Sequence, residues 1–217
     1  MIHEKKRLFF PKEIDKEKIP LVYTNVLLEQ DVDSPHKYES RKIVVEEGDV
    51  IADCGVAEGL WALNNVEKVG KIYLFERDKK WINALQQTFK PWREKTFIVN
   101  KYVSATNEGE NFIALDYYFK DEKIDFIKAD IEGMEIDLLK GSKNLLASRK
   151  NLKLSICTYH QKNDAEKIKE ILEKNDFYTE YSKGYMLFAY DRELEKPYIR
   201  RGIIRAAKRN NVKIIIE

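Results

Sequence analysis

Short apolar runs alternate along the chain with stretches that carry apolar residues at helical spacing. Five of these runs have the length of strands: "DVIADC", "KIYLFE", "TFIVNKYV", "IDFIKAD" and "LKLSICTYH". Helix-like stretches follow most of them, and strands that alternate with helices are typical of a parallel sheet covered on both faces. The pattern therefore predicts an α/β fold with a doubly wound, Rossmann-like, mostly parallel sheet.

The last third of the chain predicts a change of strand direction. After the helix-like segment "DAEKIKEILEKN" come two strand-like runs, "FYTEYS" and "YMLFAY", which are separated by Lys183 and Gly184. A short link that contains glycine favours a hairpin. We therefore expect an antiparallel C-terminal hairpin at one edge of the sheet.

We divide the chain into an N-terminal cap segment (1–44), a main domain (45–191) and a basic C-terminal tail (192–217). The cap is expected to cover the edge of an active site and to offer His36 or Tyr38 as substrate contacts. The tail is basic and amphipathic, which favours packing against its own domain or a second subunit. A homo-oligomer, an anionic membrane surface and a phosphate-bearing substrate stay open for it.

The amino-acid composition limits the classes to which the protein can belong. Hydrophobic residues make up 43% of the 217 residues, which suffices for a sizeable core, and 39 basic against 37 acidic side chains are too balanced to indicate nucleic acid. Charges interrupt every apolar stretch near the N-terminus, which predicts neither a secretory signal nor a transmembrane segment. Cys54 and Cys157 form no CxxC pair and fit buried thiols in a reducing compartment. We therefore expect a cytoplasmic protein.

The turn after the first strand, "IADCGVAEGLWA", predicts a ligand site. Gly55 and Gly59 lie between strand and helix, where backbone N–H groups point at a ligand above the sheet edge. The next strand ends at Glu76, at a distance along the chain that suits a carboxylate bound to ribose hydroxyls. Asp53 occupies the first glycine position of a dinucleotide fingerprint, and Glu58 starts the helix. Two carboxylates would repel a pyrophosphate and favour a cationic ligand such as S-adenosylmethionine.

Polar side chains cluster at the predicted ends of the fourth and fifth strands. Asp130 and Glu132 lie in "IKADIEGMEID", and His160 ends "SICTYH". Ligands of doubly wound sheets bind at this edge, so these three residues are the predicted catalytic groups. Glu135, in the same stretch, is explained as well by the dipole of the helix that follows. A Mg²⁺ ion bound by Asp130 and Glu132 stays open.

Three runs carry a family resemblance: "GDVIADCGVAEGLWAL", "VGKIYLFERDKKWINAL" and "IDFIKADIEGMEIDLLKGSKNLL". They resemble the FkbM family of S-adenosylmethionine-dependent methyltransferases, a branch of the class I methyltransferases. The resemblance implies S-adenosylmethionine as cofactor and methyl transfer to a hydroxyl of a glycan, polyketide or related metabolite. It places Asp53, Gly55 and Gly59 around the methionine moiety and Glu76 on the ribose.

The same resemblance places adenine contacts after the third strand. Arg77 stands where the family usually has proline, and Val56 departs from the family's usual turn residues. The complete set predicted to bind the cofactor is Asp53, Gly55, Val56, Gly59, Glu76, Arg77, Asn100, Val103, Ser104 and Asp130.

The expected reaction is an in-line displacement, with Asp130 or His160 accepting the proton of the acceptor hydroxyl. The expected partner is a small-molecule or glycan hydroxyl substrate and not a nucleic acid. Two alternatives stay open: a nucleic-acid methyltransferase, and a non-catalytic protein that only binds S-adenosylmethionine. A nicotinamide-dependent oxidoreductase is disfavoured because the third fingerprint glycine is missing.

Overall fold

A computed structural model describes residues 1–188 and 195–211 of the chain. Its helices and strands are, in chain order, β1 (Ile2–His3), β2 (Lys6–Arg7), α1 (Ile19–Glu29), β3 (Val50–Cys54), α2 (Leu60–Asn65), β4 (Lys71–Phe75), α3 (Lys79–Thr88), β5 (Thr96–Val99), β6 (Tyr102–Val103), β7 (Phe112–Ile113), α4 (Leu115–Tyr118), β8 (Phe126–Ala129), α5 (Glu135–Lys140), α6 (Lys143–Ser148), β9 (Lys153–Cys157), α7 (Asp164–Lys174), β10 (Phe177–Tyr181), β11 (Met186–Leu187), β12 (Ile199–Arg200) and β13 (Ile203–Lys208). Two single 3₁₀ turns cover Lys90–Trp92 and Arg209–Asn211.

The centre of the molecule is a seven-stranded sheet in the order β10-β13-β9-β8-β3-β4-β5. The five strands from β9 to β5 are parallel to one another, and β13 is antiparallel to both of its neighbours. The chain crosses from β3 outward to β4 and β5 and then returns to β8 on the other side of β3. This confirms the predicted doubly wound, mostly parallel sheet with an antiparallel C-terminal pair, and it places the switch point between β3 and β8.

The partner of β10 differs from the predicted one. β10 pairs with β13, whereas β11, which lies in the predicted run "YMLFAY", pairs with β12 outside the main sheet. Residues 189–190 of that run lie outside the described residues. A long connection, and not a tight hairpin at Lys183 and Gly184, therefore joins the antiparallel strands β10 and β13.

The segment interpreted as a basic tail contributes β13 to the interior of the sheet. Ile203 through Ala207 are buried, although Arg205 lies among them. The Arg205 guanidinium bonds to the carbonyl oxygens of Lys37 and Tyr38 and lies 3.6 Å from Glu180. Because groups within the protein satisfy the charge of Arg205, this residue can lie in an inner strand. The sequence interpretation had assigned the same mixture of basic and apolar residues to an amphipathic surface segment. Residues 212–217 of the predicted tail lie outside the described residues.

Apolar side chains cover both faces of the sheet, as the alternating pattern predicts. Val50, Ala52 and Cys54 of β3 pack on one face with α5, α6 and α7, whereas Ile51 packs on the other with α2 and the N-terminal segment. Cys54 and Cys157 are both free and fully buried, as expected. None of the helices in the described ranges is long and apolar enough to cross a membrane.

The segment before β3 is packed against the sheet. Tyr38, Ile43 and Val45 are buried, and the Ser155 hydroxyl donates to the Tyr38 carbonyl over 2.8 Å. This packing brings His36, which is also buried, to the carboxyl ends of β8 and β9.

Candidate active site

The turns after β3 and β8 are in direct contact. Gly55 has a φ of +77°, and a Cβ at this position would lie 1.7 Å from the carbonyl oxygen of Asp130. The Lys128 ammonium donates to the Gly55 carbonyl over 2.6 Å. Glycine is therefore required at 55 for the two strand ends to meet at the switch point.

A buried ion pair lies directly below this contact. The Lys128 Nζ is 2.9 Å from Oδ1 of Asp53, and both side chains are almost completely buried. Burial lowers the pKa of Lys128, but the attraction of Asp53 and Asp130 outweighs burial and leaves the pKa raised. Asp53 therefore neutralises Lys128 and does not line the cavity described next. The sequence interpretation did not predict the pairing of Lys128 with Asp53, because the two charges are far apart along the chain.

A cavity of about 390 Å³ opens at the carboxyl ends of β3, β4 and β8, within the size range of small-molecule sites. Its lining combines carboxylates with aromatic and apolar side chains, and comprises Gly55, Ala57, Phe75, Glu76, Arg77, Asp78, Trp81, Lys101, Tyr102, Val103, Asp130, Ile131, Glu132 and Met134.

Glu76 is held in a fixed position in the wall of this cavity. Its Oε2 accepts a hydrogen bond of 3.0 Å from the backbone N–H of Ala57, and its Oε1 accepts one of 2.7 Å from that of Asp78. Asn100 donates to the carbonyl oxygens of Glu76 and Arg77 from behind. A carboxylate oxygen has two acceptor positions, so each Glu76 oxygen can still accept a ligand hydroxyl.

The structure brings together part of the residue set predicted to bind the cofactor. Five of them line the cavity, namely Gly55, Glu76, Arg77, Val103 and Asp130. The other five are not among the lining residues, namely Asp53, Val56, Gly59, Asn100 and Ser104.

Three of the predicted residues outside the lining make contacts within the fold. Val56 is buried in the core beneath α2, and Gly59 begins α2 with a φ of +78°, against Leu85. The Ser104 N–H donates to the Ile113 carbonyl and so joins two backbone segments. The lining residues that the sequence interpretation missed lie at or after the ends of β3, β4, β5 and β8, namely Ala57, Phe75, Asp78, Trp81, Lys101, Tyr102, Ile131 and Met134.

Four side chains surround the Asp130 carboxylate. Tyr38 donates to Oδ2 over 2.8 Å, and Tyr159 donates to Oδ1 over 3.2 Å. The Nε2 atoms of His36 and His160 lie 3.4 Å from Oδ2 and Oδ1, respectively. His36 and Tyr38 therefore reach the site, where they contact Asp130. Their expected role as substrate contacts stays a prediction.

The charge of Asp130 is strongly stabilised. Burial raises its pKa, but His36, Lys128 and His160 together outweigh burial and hold the pKa well below the usual range of an aspartate. Asp130 is therefore ionised at neutral pH and acts as a hydrogen-bond acceptor.

His160 is oriented by Glu135. The Nδ1 atom lies 2.8 Å from Oε1 of Glu135, a fully buried carboxylate that also accepts the N–H of Ile131. The Nε2 atom faces Asp130 and lies 3.6 Å from Glu132, whose side chain is 92% exposed. Burial lowers the pKa of His160, but Glu135 and Asp130 outweigh burial and raise the pKa. Glu135 thus belongs to the site, in addition to starting α5.

The arrangement does not support the Mg²⁺ ion that the sequence left open. Within the described ranges, two groups of three side chains place candidate ligand atoms within 4.8 Å of one another: His36 with Asp130 and Cys157, and Asp130 with Glu135 and His160. Glu132 belongs to neither group, because its side chain extends into solvent.

Comparison with known proteins finds a family model that matches part of the chain. The family model described as "Methyltransferase FkbM domain" matches residues 93–181. This part of the chain is similar to a methyltransferase FkbM domain. This confirms the resemblance seen in the sequence. The matched part of the FkbM domain contains Asp130, Glu135 and His160, whereas Gly55 and Glu76 precede it.

Solved structures share the fold of this chain. An rRNA methylase from Streptococcus thermophilus is 15% identical, with a TM-score of 0.50 over 92% of this chain and 100% of that chain. A precorrin-6y C5,15-methyltransferase from Geobacter metallireducens GS-15 is 14% identical, with a TM-score of 0.51 over 93% of this chain and 95% of that chain. The fold is therefore that of a class I methyltransferase.

No curated protein sequence matches the chain. Family and fold together support S-adenosylmethionine-dependent methyl transfer.

Proposed function

We propose that this FkbM protein transfers a methyl group from S-adenosylmethionine to a hydroxyl of a glycan, polyketide or related metabolite. The observation that carries the proposal is the position of Asp130. Its carboxylate lines the same cavity as Glu76 and also contacts His160, which Glu135 orients. The proposed cofactor site and a carboxylate that contacts His160 therefore share one wall.

The cavity residues fit S-adenosylmethionine. Glu76 offers two fixed carboxylate oxygens for the ribose hydroxyls, and Trp81, Tyr102 and Met134 supply apolar surface for the adenine. When bound, the cofactor supplies an electrophilic methyl group on a sulfonium. The ionised Asp130 adds negative charge to the cavity, which favours a cationic ligand.

Asp130 and His160 have different roles in this proposal. Because its pKa is held low, Asp130 is a weak base and serves to orient the acceptor hydroxyl by accepting its hydrogen bond. His160 has the more basic nitrogen, and Glu135 holds its Nδ1 so that Nε2 lies beside Asp130, where it would accept the proton of a hydroxyl that Asp130 orients. Orientation of this kind contributes roughly 7 to 11 kcal/mol to catalysis in favourable cases.

The basic residues near the C-terminus favour a metabolite over a nucleic acid. Arg200, Arg205 and Lys208 all donate to backbone carbonyl oxygens within the domain. These three charges are used internally and are not offered to the phosphate groups of a nucleic-acid substrate. We therefore propose a hydroxylated small molecule or glycan as the partner, and a homo-oligomer stays a prediction.

Methyl transfer from labelled S-adenosylmethionine to a panel of hydroxylated glycans, polyketides and RNA tests the proposal. We expect labelled product from a hydroxyl compound with wild-type protein and with His3→Gln, a control whose buried histidine bonds to Tyr23 and Asn64 away from the site. His160→Gln should keep cofactor binding and lose turnover, whereas Asp130→Asn should lose turnover and also weaken binding of the cationic cofactor.

Turnover on RNA alone would contradict the proposed acceptor. Turnover that neither substitution changes would contradict the proposed roles of Asp130 and His160. Cofactor binding without turnover on any substrate would support the non-catalytic alternative.

A further inference from the structure

We propose that His36, Asp130 and Cys157 bind a divalent transition-metal ion, with Zn²⁺ as the best fit. These side chains come from three separate parts of the chain: the N-terminal segment, the turn after β8 and the end of β9. The Nε2 of His36 lies 3.4 Å from Oδ2 of Asp130 and 3.8 Å from Sγ of Cys157. All candidate ligand atoms of this group lie within 4.8 Å of one another.

The spacing matches that of ligands around one metal ion. Zinc binds nitrogen and oxygen at about 2.0 Å and sulfur at about 2.3 Å, so tetrahedral angles separate neighbouring ligand atoms by about 3.3 to 3.5 Å. The two separations in the structure, 3.4 Å and 3.8 Å, lie close to these values. Small side-chain rotations would bring the three atoms to bonding distance of a single ion.

The ligand types select the class of metal. One imidazole, one carboxylate and one thiol favour zinc or another first-row transition ion, whereas Mg²⁺ prefers oxygen ligands and retains water. His36 and Cys157 are 4% and 0% exposed, so the site is enclosed. Binding replaces the proton of the Cys157 thiol by the metal ion and releases that proton to solvent, with no change of oxidation state.

The groups around these three residues suit a metal site. A histidine that binds zinc commonly has a carboxylate at its other nitrogen, and Nδ1 of His36 lies 3.7 Å from Oε2 of Glu29. Nδ1 has no hydrogen-bond partner among the described residues. The Tyr159 hydroxyl lies 2.9 Å from Nε2 of His36, and the Tyr38 hydroxyl lies 2.8 Å from Oδ2 of Asp130, so either is near enough to offer a fourth ligand.

Such an ion would fasten the N-terminal segment to the sheet edge. It would also bind Oδ2 of Asp130 while Oδ1 remains directed at Tyr159 and His160. The proposal does not depend on methyl transfer, because metal content is measured without cofactor or acceptor.

Reconstitution with Co²⁺ tests the proposal, because a cobalt-bound thiolate gives a charge-transfer absorption band. We expect about one equivalent of Co²⁺ per wild-type chain, displaced by Zn²⁺, together with this band. Cys54→Ser is the matched control, since Cys54 is the other free and fully buried cysteine. It should keep the band, whereas Cys157→Ser and His36→Gln should lose it, and Glu29→Gln should weaken Zn²⁺ binding about tenfold.

A folded wild-type protein without stoichiometric Co²⁺, or a thiolate band that survives in Cys157→Ser, would overturn the proposal. Circular dichroism verifies the fold of every variant. If Cys157→Ser does not fold, His36→Gln with the band retained is the outcome that rejects the site.

Discussion

The Nδ1 atom of His160 lies 2.8 Å from Oε1 of Glu135, a side chain with no exposed surface. A buried carboxylate at this distance fixes one nitrogen of the imidazole as a donor and leaves Nε2 directed toward Asp130. The same arrangement of a carboxylate behind a histidine orients general bases in many enzymes.

Removal of the His160 base should affect turnover more than binding. For His160→Gln we expect kcat to fall by roughly 10² to 10⁴ with little change in KM for the cofactor, since proton transfer in the transition state contributes that much. Glu135→Gln should produce a smaller loss of kcat. Steady-state kinetics checks both variants, and Lys140→Gln on the exposed side of α5 is the control. A change confined to KM would reject the assigned role.

The contact between Gly55 and Asp130 should be sensitive to a single methyl group. Gly55→Ala places a Cβ where the Asp130 carbonyl lies 1.7 Å away, so the two turns must separate and cofactor affinity should fall at least about tenfold. Gly48→Ala is a matched control, because Gly48 has the same φ of +77° and nothing within 4 Å of the added Cβ.

The control should therefore show only the backbone cost of a left-handed alanine, about 1 to 2 kcal/mol in the free energy of unfolding. Calorimetry of S-adenosylhomocysteine binding and urea unfolding compare the two variants. Equal effects of both substitutions on affinity would show that the contact at Gly55 is unimportant.

Removal of one partner from the buried pair of Asp53 and Lys128 should strongly destabilise the folded protein. Lys128→Met leaves the Asp53 carboxylate buried without its cation, and we expect a loss of about 3 to 5 kcal/mol in the free energy of unfolding. The double variant Asp53→Asn with Lys128→Met removes both charges and should recover part of that loss. Urea unfolding measures both, and a double variant no more stable than Lys128→Met would contradict the explanation.

Glu58 should make stability depend on pH. Burial raises its pKa from 4.5 to about 7. The folded protein therefore binds this proton more tightly than the unfolded chain does, and stability falls as the pH rises from 4.5 through 7. Glu58→Gln removes this dependence, so its advantage over wild type should grow by about 1 to 3 kcal/mol between pH 5 and pH 8.

Unfolding in urea at a series of pH values tests the Glu58 prediction. Glu94→Gln, at a side chain that is 83% exposed, is the control and should show a smaller change. A stability difference between Glu58→Gln and wild type that does not vary with pH would contradict the prediction.

The alternation of apolar runs and helical periodicity was sufficient to predict the parallel part of the sheet, because its strands are buried on both faces and stand out as continuous apolar segments. The same criterion failed at β13, where Arg205 lies in an inner strand. Its charge is satisfied by carbonyl groups of a segment more than 160 residues away in the chain. A local sequence pattern cannot predict a hydrogen-bond partner so far away in the chain.

The candidate site shows the same limit. Residues at strand ends, such as Glu76, Asp130 and His160, were predictable because parallel strands deliver their carboxyl ends to one edge. The partners of those residues were not. Glu135 fits a helix N-terminus equally well, and Lys128 had no assigned role until the fold placed it beside Asp53.

The most direct test of the central claim is the binding of S-adenosylmethionine, measured by calorimetry on wild-type protein and on Glu76→Ala, with NAD⁺ as the comparison ligand. Loss of the two fixed carboxylate oxygens should weaken binding about 10- to 100-fold, because hydrogen bonds to a charged group contribute about 1.5 to 3 kcal/mol. We predict saturable binding of S-adenosylmethionine to the wild type, this loss in the variant, and no binding of NAD⁺. A folded protein that binds NAD⁺ and not S-adenosylmethionine, or that binds S-adenosylmethionine equally well without Glu76, would contradict the account.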